Sequence, residues 1–319
     1  DKLKDPDVSR YKDSEVKKHK DNEVPSMAII PFSNKGADED AFYAYGISSD
    51  LISACSGAGL IRVASLSDVE KLDFINLRNE EIAEKLLVRY IAQGVLWKMG
   101  ENFQLSIELY DTKQKKVLWS DRWQESWDRI TTIEEKLKEG LLKVMNTSSK
   151  ADSKTNQINP SAYELALKAK HNFENRKSNK ENKLIIILLK KAILIDENII
   201  PAYMLLARVY KVSGDYDRAL ENFKLALKIA KTLNDKLRIA HSYFNLAWMY
   251  NDVDNLKKSK VHFIKANKIY RNLNDKIGQS ECLLGFGTIY KAKGEMNKAI
   301  DIYSKVFDIA KNLDDKDGM

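Results

Sequence analysis

The sequence predicts two domains, an α+β domain with a β-meander followed by an all-α helical-repeat solenoid. Apolar and polar residues alternate in short segments between residues 90 and 119, which is typical of strands. In the second half, three segments repeat one another at a spacing of 40 residues. A length of 319 residues allows two cores of usual size, and five Pro and thirteen Gly favour helices over an all-β protein with many tight turns.

Two polar stretches divide the chain. Residues 1–23 carry seven positive and seven negative residues and almost nothing apolar, so we interpret them as a charged linker. Residues 147–159 are rich in Ser, Thr and Asn, and we interpret them as a polar linker. The first domain is therefore expected at residues 24–146 and the repeats at residues 160–319.

The first domain begins with an apolar run, residues 27–32, which predicts a buried strand that ends at the loop 33–36. Apolar residues from Phe42 to Cys55 recur at helical spacing and predict a helix. Residues 60–64 predict a second strand. The three elements form a β-α-β unit.

A meander and a closing helix follow. Asn79 is expected to cap a helix that runs through Leu87. Residues 90–98, 103–110 and 116–119 predict three strands, and residues 130–145 predict the helix that closes the domain. In the middle strand one face is apolar, which indicates that this face packs on helices while the other meets water. Its apolar residues are Phe103, Leu105, Ile107 and Leu109.

The second half is defined by its internal repeat. Tyr210, Tyr250 and Tyr290 occupy equivalent positions 40 residues apart, as do Phe223, Phe263 and Tyr303. Each unit predicts two helices joined by a tight turn, for which Gly214 or Gly294 suits a left-handed conformation. A degenerate unit begins at Pro160, so four helix pairs are expected.

Residues 200–226 resemble the tetratricopeptide repeat (TPR) pattern. The matching residues are Ala207, Tyr210, Gly214, Tyr216, Ala219, Phe223 and Ala226. The 40-residue period exceeds the 34 residues usual for that family, which implies longer helices. The resemblance implies a TPR superhelical solenoid whose first helices line a concave face that binds a protein or peptide.

Ten residues are expected on that concave face. Trp248 is the leading candidate for an interface anchor, as an exposed Trp between polar neighbours, and contact with a neighbouring repeat is its alternative role. The ten residues are Met204, Arg208, Lys211, His241, Phe244, Trp248, Asn251, Asp252, Thr288 and Lys291.

The first half resembles the TolB amino-terminal-like domain of bacterial multidomain proteins over residues 24–145. The similar segments are Met27-Ala-Ile-Ile-Pro-Phe-Ser-Asn34, Tyr43-Ala-Tyr-Gly-Ile-Ser-Ser-Asp-Leu-Ile52, Leu60-Ile-Arg-Val-Ala-Ser65, Tyr90-Ile-Ala-Gln-Gly-Val95 and Val117-Leu-Trp-Ser-Asp-Arg-Trp123. In such proteins this domain and TPR repeats often follow a class III adenylate/guanylate cyclase, a Ser/Thr kinase or a winged-helix DNA-binding domain.

The two resemblances together imply a non-catalytic regulatory and protein-interaction fragment of a bacterial signal-transduction protein. An adenylate/guanylate cyclase is the first expectation for the parent, which could form a homodimer, and a kinase or a winged-helix regulator is the alternative. A third hypothesis is a small-molecule sensor in the first domain. Since the chain starts at Asp1 without Met and residues 315–319 restate the start of a repeat, we expect further sequence at both ends.

Motifs for catalysis and cofactors are missing from the sequence. No Gly-Lys-Ser/Thr phosphate loop, dinucleotide fingerprint or Gly-x-Ser-x-Gly elbow occurs. His19, His171, His241 and His262 have no Cys, His or carboxylate partner at metal-ligand spacing. We therefore expect no cofactor, no metal and no enzyme activity in this fragment. Four tryptophans crowd the meander and are interpreted as core residues: Trp97, Trp119, Trp123 and Trp127.

Charge and cysteine content bear on partners and compartment. Of a net charge of +7, residues 160–319 contribute +10, which favours an acidic partner or nucleic acid if the lysines are more than solvated helix faces. No Lys/Arg stripe with interleaved aromatic residues is visible, so direct nucleic-acid binding is not expected. Cys55 and Cys282 are too far apart to indicate a disulfide framework, and no apolar run could cross a bilayer. A cytoplasmic fragment without a membrane segment is expected.

Overall fold

The computed structural model describes residues 25–57, 61–145, 158–273 and 275–314. The charged linker 1–23, most of the polar linker and the last five residues lie outside the described residues. A mixed sheet domain and a helical repeat domain follow one another, which confirms the predicted fold class.

In the described part of the first domain, six strands form one sheet: β1 (Ser26–Ile29), β2 (Ser33–Asn34), β3 (Arg62–Val63), β4 (Tyr90–Met99), β5 (Asn102–Asp111) and β6 (Lys116–Ser126). The strand order is β3-β1-β4-β5-β6, and β2 pairs with β4. β1 is parallel to β3 and β4, whereas β4, β5 and β6 are antiparallel neighbours. The β-α-β unit and the meander were both predicted.

Among the residues that the structure describes here, four α-helices accompany the sheet: α1 (Ala41–Gly57), α2 (Leu66–Glu70), α3 (Asn79–Leu86) and α4 (Ile130–Val144). Alternation along β5 places its apolar residues in the core, where Phe103, Leu105 and Leu109 are fully buried. They pack with α1 residues such as Ile47 and α4 residues such as Leu137. One face of the meander is thus covered by α1 and α4.

Three local predictions were wrong. Ser33 and Asn34 form a short strand on β4 where a loop was expected. Asn79 is the first helical residue of α3, and the cap is Arg78, whose N–H donates to Glu81 Oε2 at 2.8 Å. β6 continues to Ser126 instead of stopping at residue 119, because β5 offers hydrogen-bonding partners along its whole length.

The second domain contains eight helices in the described residues: α5 (Pro160–Glu174), α6 (Asn182–Ile195), α7 (Ile200–Val212), α8 (Tyr216–Thr232), α9 (Lys236–Asp252), α10 (Leu256–Asn272), α11 (Lys276–Ala292) and α12 (Met296–Asp314). They form the four expected antiparallel pairs. The turns within three pairs contain a left-handed residue, Gly214 (φ 79°), Asp254 (φ 54°) and Gly294 (φ 76°). Asp254 adopts the left-handed conformation at the position where the flanking units have a glycine.

Helix α5 belongs to two hydrophobic cores. Its Tyr163 and Leu167 are buried in the core of the first domain, whereas Ala166 and Phe173 are buried in the core of the repeats. The first helix of a repeat array normally needs a polar outer face, because no further repeat covers it. In this protein α1 covers that face of α5.

Candidate functional site

The first helices of successive pairs are linked along one face by ion pairs. Arg208 Nη2 of α7 lies 3.3 Å from Glu174 Oε1 of α5, and Lys211 Nζ of α7 lies 2.6 Å from Asp252 Oδ2 of α9. Arg208 also stands over the ring of Phe173, 4.9 Å from its centroid. The structure thus brings three of the ten expected residues, Arg208, Lys211 and Asp252, onto one continuous face.

The apolar members of the expected site are partly buried. The Trp248 ring meets Phe263 of α10 edge-on, with centroids 5.4 Å apart and an interplanar angle of 89°, and lies 6.3 Å from Phe244. The expectation of an exposed Trp248 was wrong, since a half-buried aromatic cluster holds it. Its alternative role, contact with a neighbouring repeat, stays a prediction, because the cluster against which Trp248 packs also contains α11 residues such as Phe286. Met204 of α7 packs partly buried against the core of the repeats.

The remaining expected residues are polar. His241 lies beside Tyr270, with ring centroids 5.9 Å apart, and burial lowers the pKa of its imidazole to about 4. The Oδ1 atom of Asn251 is buried and has no hydrogen-bond partner among the described residues. Thr288 Oγ1 donates to the Leu284 carbonyl at 3.1 Å, while Lys291 is exposed.

Sequence reasoning did not find the polar contact between the two domains. The Tyr163 hydroxyl of α5 donates to Asp50 Oδ2 of α1 at 2.8 Å, and Lys170 Nζ donates to Asp50 Oδ1 at 2.6 Å. Two side chains of α5 therefore share one carboxylate of α1. A spacing of seven residues between Tyr163 and Lys170 puts both on one helix face, which was the available signal.

A glycine permits this close packing. A Cβ atom on Gly46 of α1 would lie 2.6 Å from Leu167 Cδ2 and 3.2 Å from Leu167 Cβ. Gly46 and Asp50 are four residues apart and so lie on the same face of α1. An aromatic contact also joins the two helices, between Tyr45 of α1 and His171 of α5, with ring centroids 5.6 Å apart. The two helices consequently meet along about two turns.

The two domains also enclose an open cleft of about 800 Å³ near the start of α4 and α5. Charged and polar side chains line it, among them Glu125, Arg129, Lys136 and Asp196. It is the candidate site for the sensor hypothesis, which requires a cavity with convergent polar groups.

Within the described residues, no group of three or more His, Cys, Asp or Glu side chains is arranged to hold a metal ion. No helix in the described ranges combines the length and the apolarity needed to cross a membrane.

Family comparison identifies the repeats. Residues 198–272 and residues 280–313 each match a tetratricopeptide repeat model. No curated protein matches the chain.

Similar solved structures include TolB from Acinetobacter baumannii, 16% identical over 39% of this chain, with a TM-score of 0.31. The match covers 29% of the length of that TolB. BtubC (BKLC) from P. vanneervenii is 18% identical over 58% of this chain and 76% of its own length, with a TM-score of 0.43. MamA is 19% identical over 58% of this chain and 93% of its own length, with a TM-score of 0.38.

Tetratricopeptide repeats are protein-interaction elements without catalytic groups of their own. Residues 198–272 and 280–313 are accordingly tetratricopeptide repeats, and the helical domain that contains them packs through its first helix against a mixed sheet domain.

Proposed function

We propose that this chain is a non-catalytic regulatory region that holds a protein or peptide partner on the face formed by α7, α9 and α11. The ten residues from Met204 to Lys291 named above are the ones that we assign to this face. Its chemistry suits a peptide, because half-buried aromatic rings at Phe244 and Trp248 lie beside the ion pair of Lys211 and Asp252. Aromatic side chains among polar ones are typical of interface centres.

The observation that carries the proposal is the sharing of α5 between the two cores. Arg208 on the binding face bonds to Glu174 of α5, and α5 bonds to Asp50 of the first domain through Tyr163 and Lys170. A partner that displaces Arg208 from Glu174 therefore changes the contacts of α5, the helix that packs in the cores of both domains. Binding to the repeats and the state of the first domain are coupled in this way.

A photoreactive amino acid tests the location of the partner. It replaces Thr288 on the proposed face, or exposed Lys190 of α6 as a matched control, in the cell that makes the protein. We expect one discrete crosslinked protein from position 288 and none from position 190. The proposal fails if position 190 gives the same product, or if position 288 gives none while crosslinking is efficient elsewhere on the chain.

We further propose a bacterial adenylate/guanylate cyclase as the parent protein. This step rests on the resemblance of residues 24–145 to TolB amino-terminal-like domains that accompany TPR repeats. The full-length parent is assayed for cyclic nucleotide formation from ATP and GTP, with and without Asp50→Ala. We expect turnover that changes at least severalfold in the variant. A parent without turnover of either nucleotide contradicts this step and leaves the partner-binding face unaffected.

A further inference from the structure

A cluster of lysines lies beside α9, between α8 and α10. It consists of Lys224 and Lys231 of α8 together with Lys258 and Lys265 of α10, and we call it the lysine cluster. All four side chains are exposed. The sequence alone did not indicate the cluster because its members come from different repeats.

Aromatic rings lie between these lysines. Lys231 Nζ and Lys265 Nζ are 5.3 and 5.4 Å from the centroid of Tyr243, one reaching it from α8 and the other from α10. Lys258 Nζ is 5.3 Å from the centroid of Tyr250. The His262 ring lies between the two tyrosines, 5.8 Å from Tyr243 and 5.0 Å from Tyr250. The lysines thus flank a strip of three rings.

The lysine cluster lies next to a helix that is rich in positive charge. Helix α10 carries six Lys/Arg and no Asp or Glu. Among the described residues, none of the four lysines has a carboxylate within ion-pair distance. Burial lowers the pKa of His262, and the nearby lysines Lys265, Lys224 and Lys258 lower it further, while its hydrogen bond with the Lys258 carbonyl opposes the shift. Arg208 and Lys211, by contrast, each form an ion pair with a carboxylate.

We propose that the lysine cluster binds an acidic segment of a partner protein. Two rows of cations on either side of a ring strip suit a single peptide segment that carries carboxylates along both edges and an apolar side chain at its centre. At about 100° per residue, Tyr243 and Tyr250 lie about 140° and about 160° around α9 from Trp248. The cluster is therefore a second surface, independent of the proposed function.

Two other anionic partners fit the observations less well. Single-stranded nucleic acid binds by stacking bases on open aromatic faces, whereas lysines already stand over the faces of Tyr243 and Tyr250. Membrane surfaces take up basic helices that also present large apolar side chains. In the described part of α10, no large apolar side chain is exposed.

The test measures binding of a fluorescent peptide that alternates Glu and Leu, by anisotropy at low salt. The double variant Lys231→Gln/Lys265→Gln removes two charges beside Tyr243. Its matched control, Lys190→Gln/Lys191→Gln on α6, removes the same charge elsewhere. We expect about fivefold or greater weakening in the cluster variant and less than twofold in the control, as for two exposed ion pairs. A peptide with Gln in place of Glu should not bind. Circular dichroism verifies that both variants keep their helix content.

Three results overturn the proposal. Equal weakening in both variants means that net charge alone attracts the peptide. Tighter binding of a single-stranded oligonucleotide of equal charge, lost in the cluster variant, assigns the cluster to nucleic acid. Binding to phosphatidylserine vesicles that is lost in the same variant, without binding of the Glu peptide, assigns it to membranes.

Discussion

Asp50 of α1 and Tyr163 of α5 are joined by a hydrogen bond of 2.8 Å that crosses the boundary between the sheet domain and the TPR array. Lys170 takes the other oxygen of the same carboxylate at 2.6 Å. This arrangement makes the first helix of the array part of the first domain. Its effect on the stability of the chain can be measured.

Replacing the shared carboxylate should weaken the whole chain. Asp50→Ala removes the carboxylate that accepts from Tyr163 and Lys170 in a partly buried interface, and we expect a loss of about 1 to 3 kcal/mol in the free energy of unfolding. Denaturant unfolding followed by circular dichroism gives the value. Glu84→Ala, at an exposed carboxylate of α3, is the control and should change it by less than about 0.5 kcal/mol. Equal effects of the two variants would show that Asp50 contributes no interdomain contact.

The close approach at Gly46 predicts a steric effect. Gly46→Ala improves helix propensity by roughly 1 kcal/mol, but its Cβ would press on Leu167, and overpacking costs roughly 1 to 3 kcal/mol. We expect a net destabilisation of about 1 kcal/mol. In the background of Leu167→Val the penalty should fall. A double-mutant cycle without coupling between the two positions would contradict the packing of α1 against α5.

Trp248 should contribute to stability as well as to binding. Because its ring packs edge-on against Phe263, we expect Trp248→Ala to lower the free energy of unfolding by about 2 to 4 kcal/mol. Trp97→Ala provides the comparison. Because Trp97 is 44% exposed, its replacement should lower the free energy of unfolding by less than about 1 kcal/mol. Thermal unfolding of the two variants distinguishes them. An unchanged melting temperature for Trp248→Ala would restore the interpretation of this residue as an exposed anchor. Trp248→Phe is therefore the safer variant for binding studies.

Acid should destabilise the repeats through His241. Its pKa is lowered from 6.5 to about 4, first by burial, while Asp235 opposes the shift and Arg238 adds to it. Between these values the unfolded chain binds the proton and the folded chain does not, so stability is complete above pH 6.5 and declines as the pH falls towards 4. The full effect is about 3 kcal/mol. Unfolding curves from pH 7 to pH 4 for the protein and for His241→Gln should diverge accordingly. Parallel curves would contradict a buried neutral imidazole.

The periodicity of the sequence predicted those strands, helices and turns that depend on a single segment or on the internal repeat. The alternation in β5 identified its buried face, and the 40-residue register identified three of the four helix pairs and the left-handed turns at Gly214 and Gly294. The strand β3 (Arg62–Val63) and the helix α4 (Ile130–Val144) lie within segments that their apolar patterns indicated.

Contacts between distant segments could not be predicted. Asp50 and Tyr163 are 113 residues apart, and the spacing that puts Tyr163 and Lys170 on one helix face does not identify Asp50 as their acceptor. The lysine cluster escaped notice because Lys231 and Lys265 meet at Tyr243 only when α8, α9 and α10 are packed. Trp248 was judged from its polar sequence neighbours, whereas Phe263 on the next helix determines its burial. Pairings of this kind are set by tertiary packing.

The most direct test of the coupled arrangement is fluorine NMR of the protein with all five tryptophans labelled, followed through denaturant unfolding. Trp119 and Trp127 belong to the core of the sheet domain, and Trp248 belongs to the repeats. Because α5 is held by both cores, the native signals of the three residues should disappear together at one denaturant concentration. In Asp50→Ala they should separate. Loss of the Trp248 signal at a clearly different concentration in the unaltered protein would contradict the account.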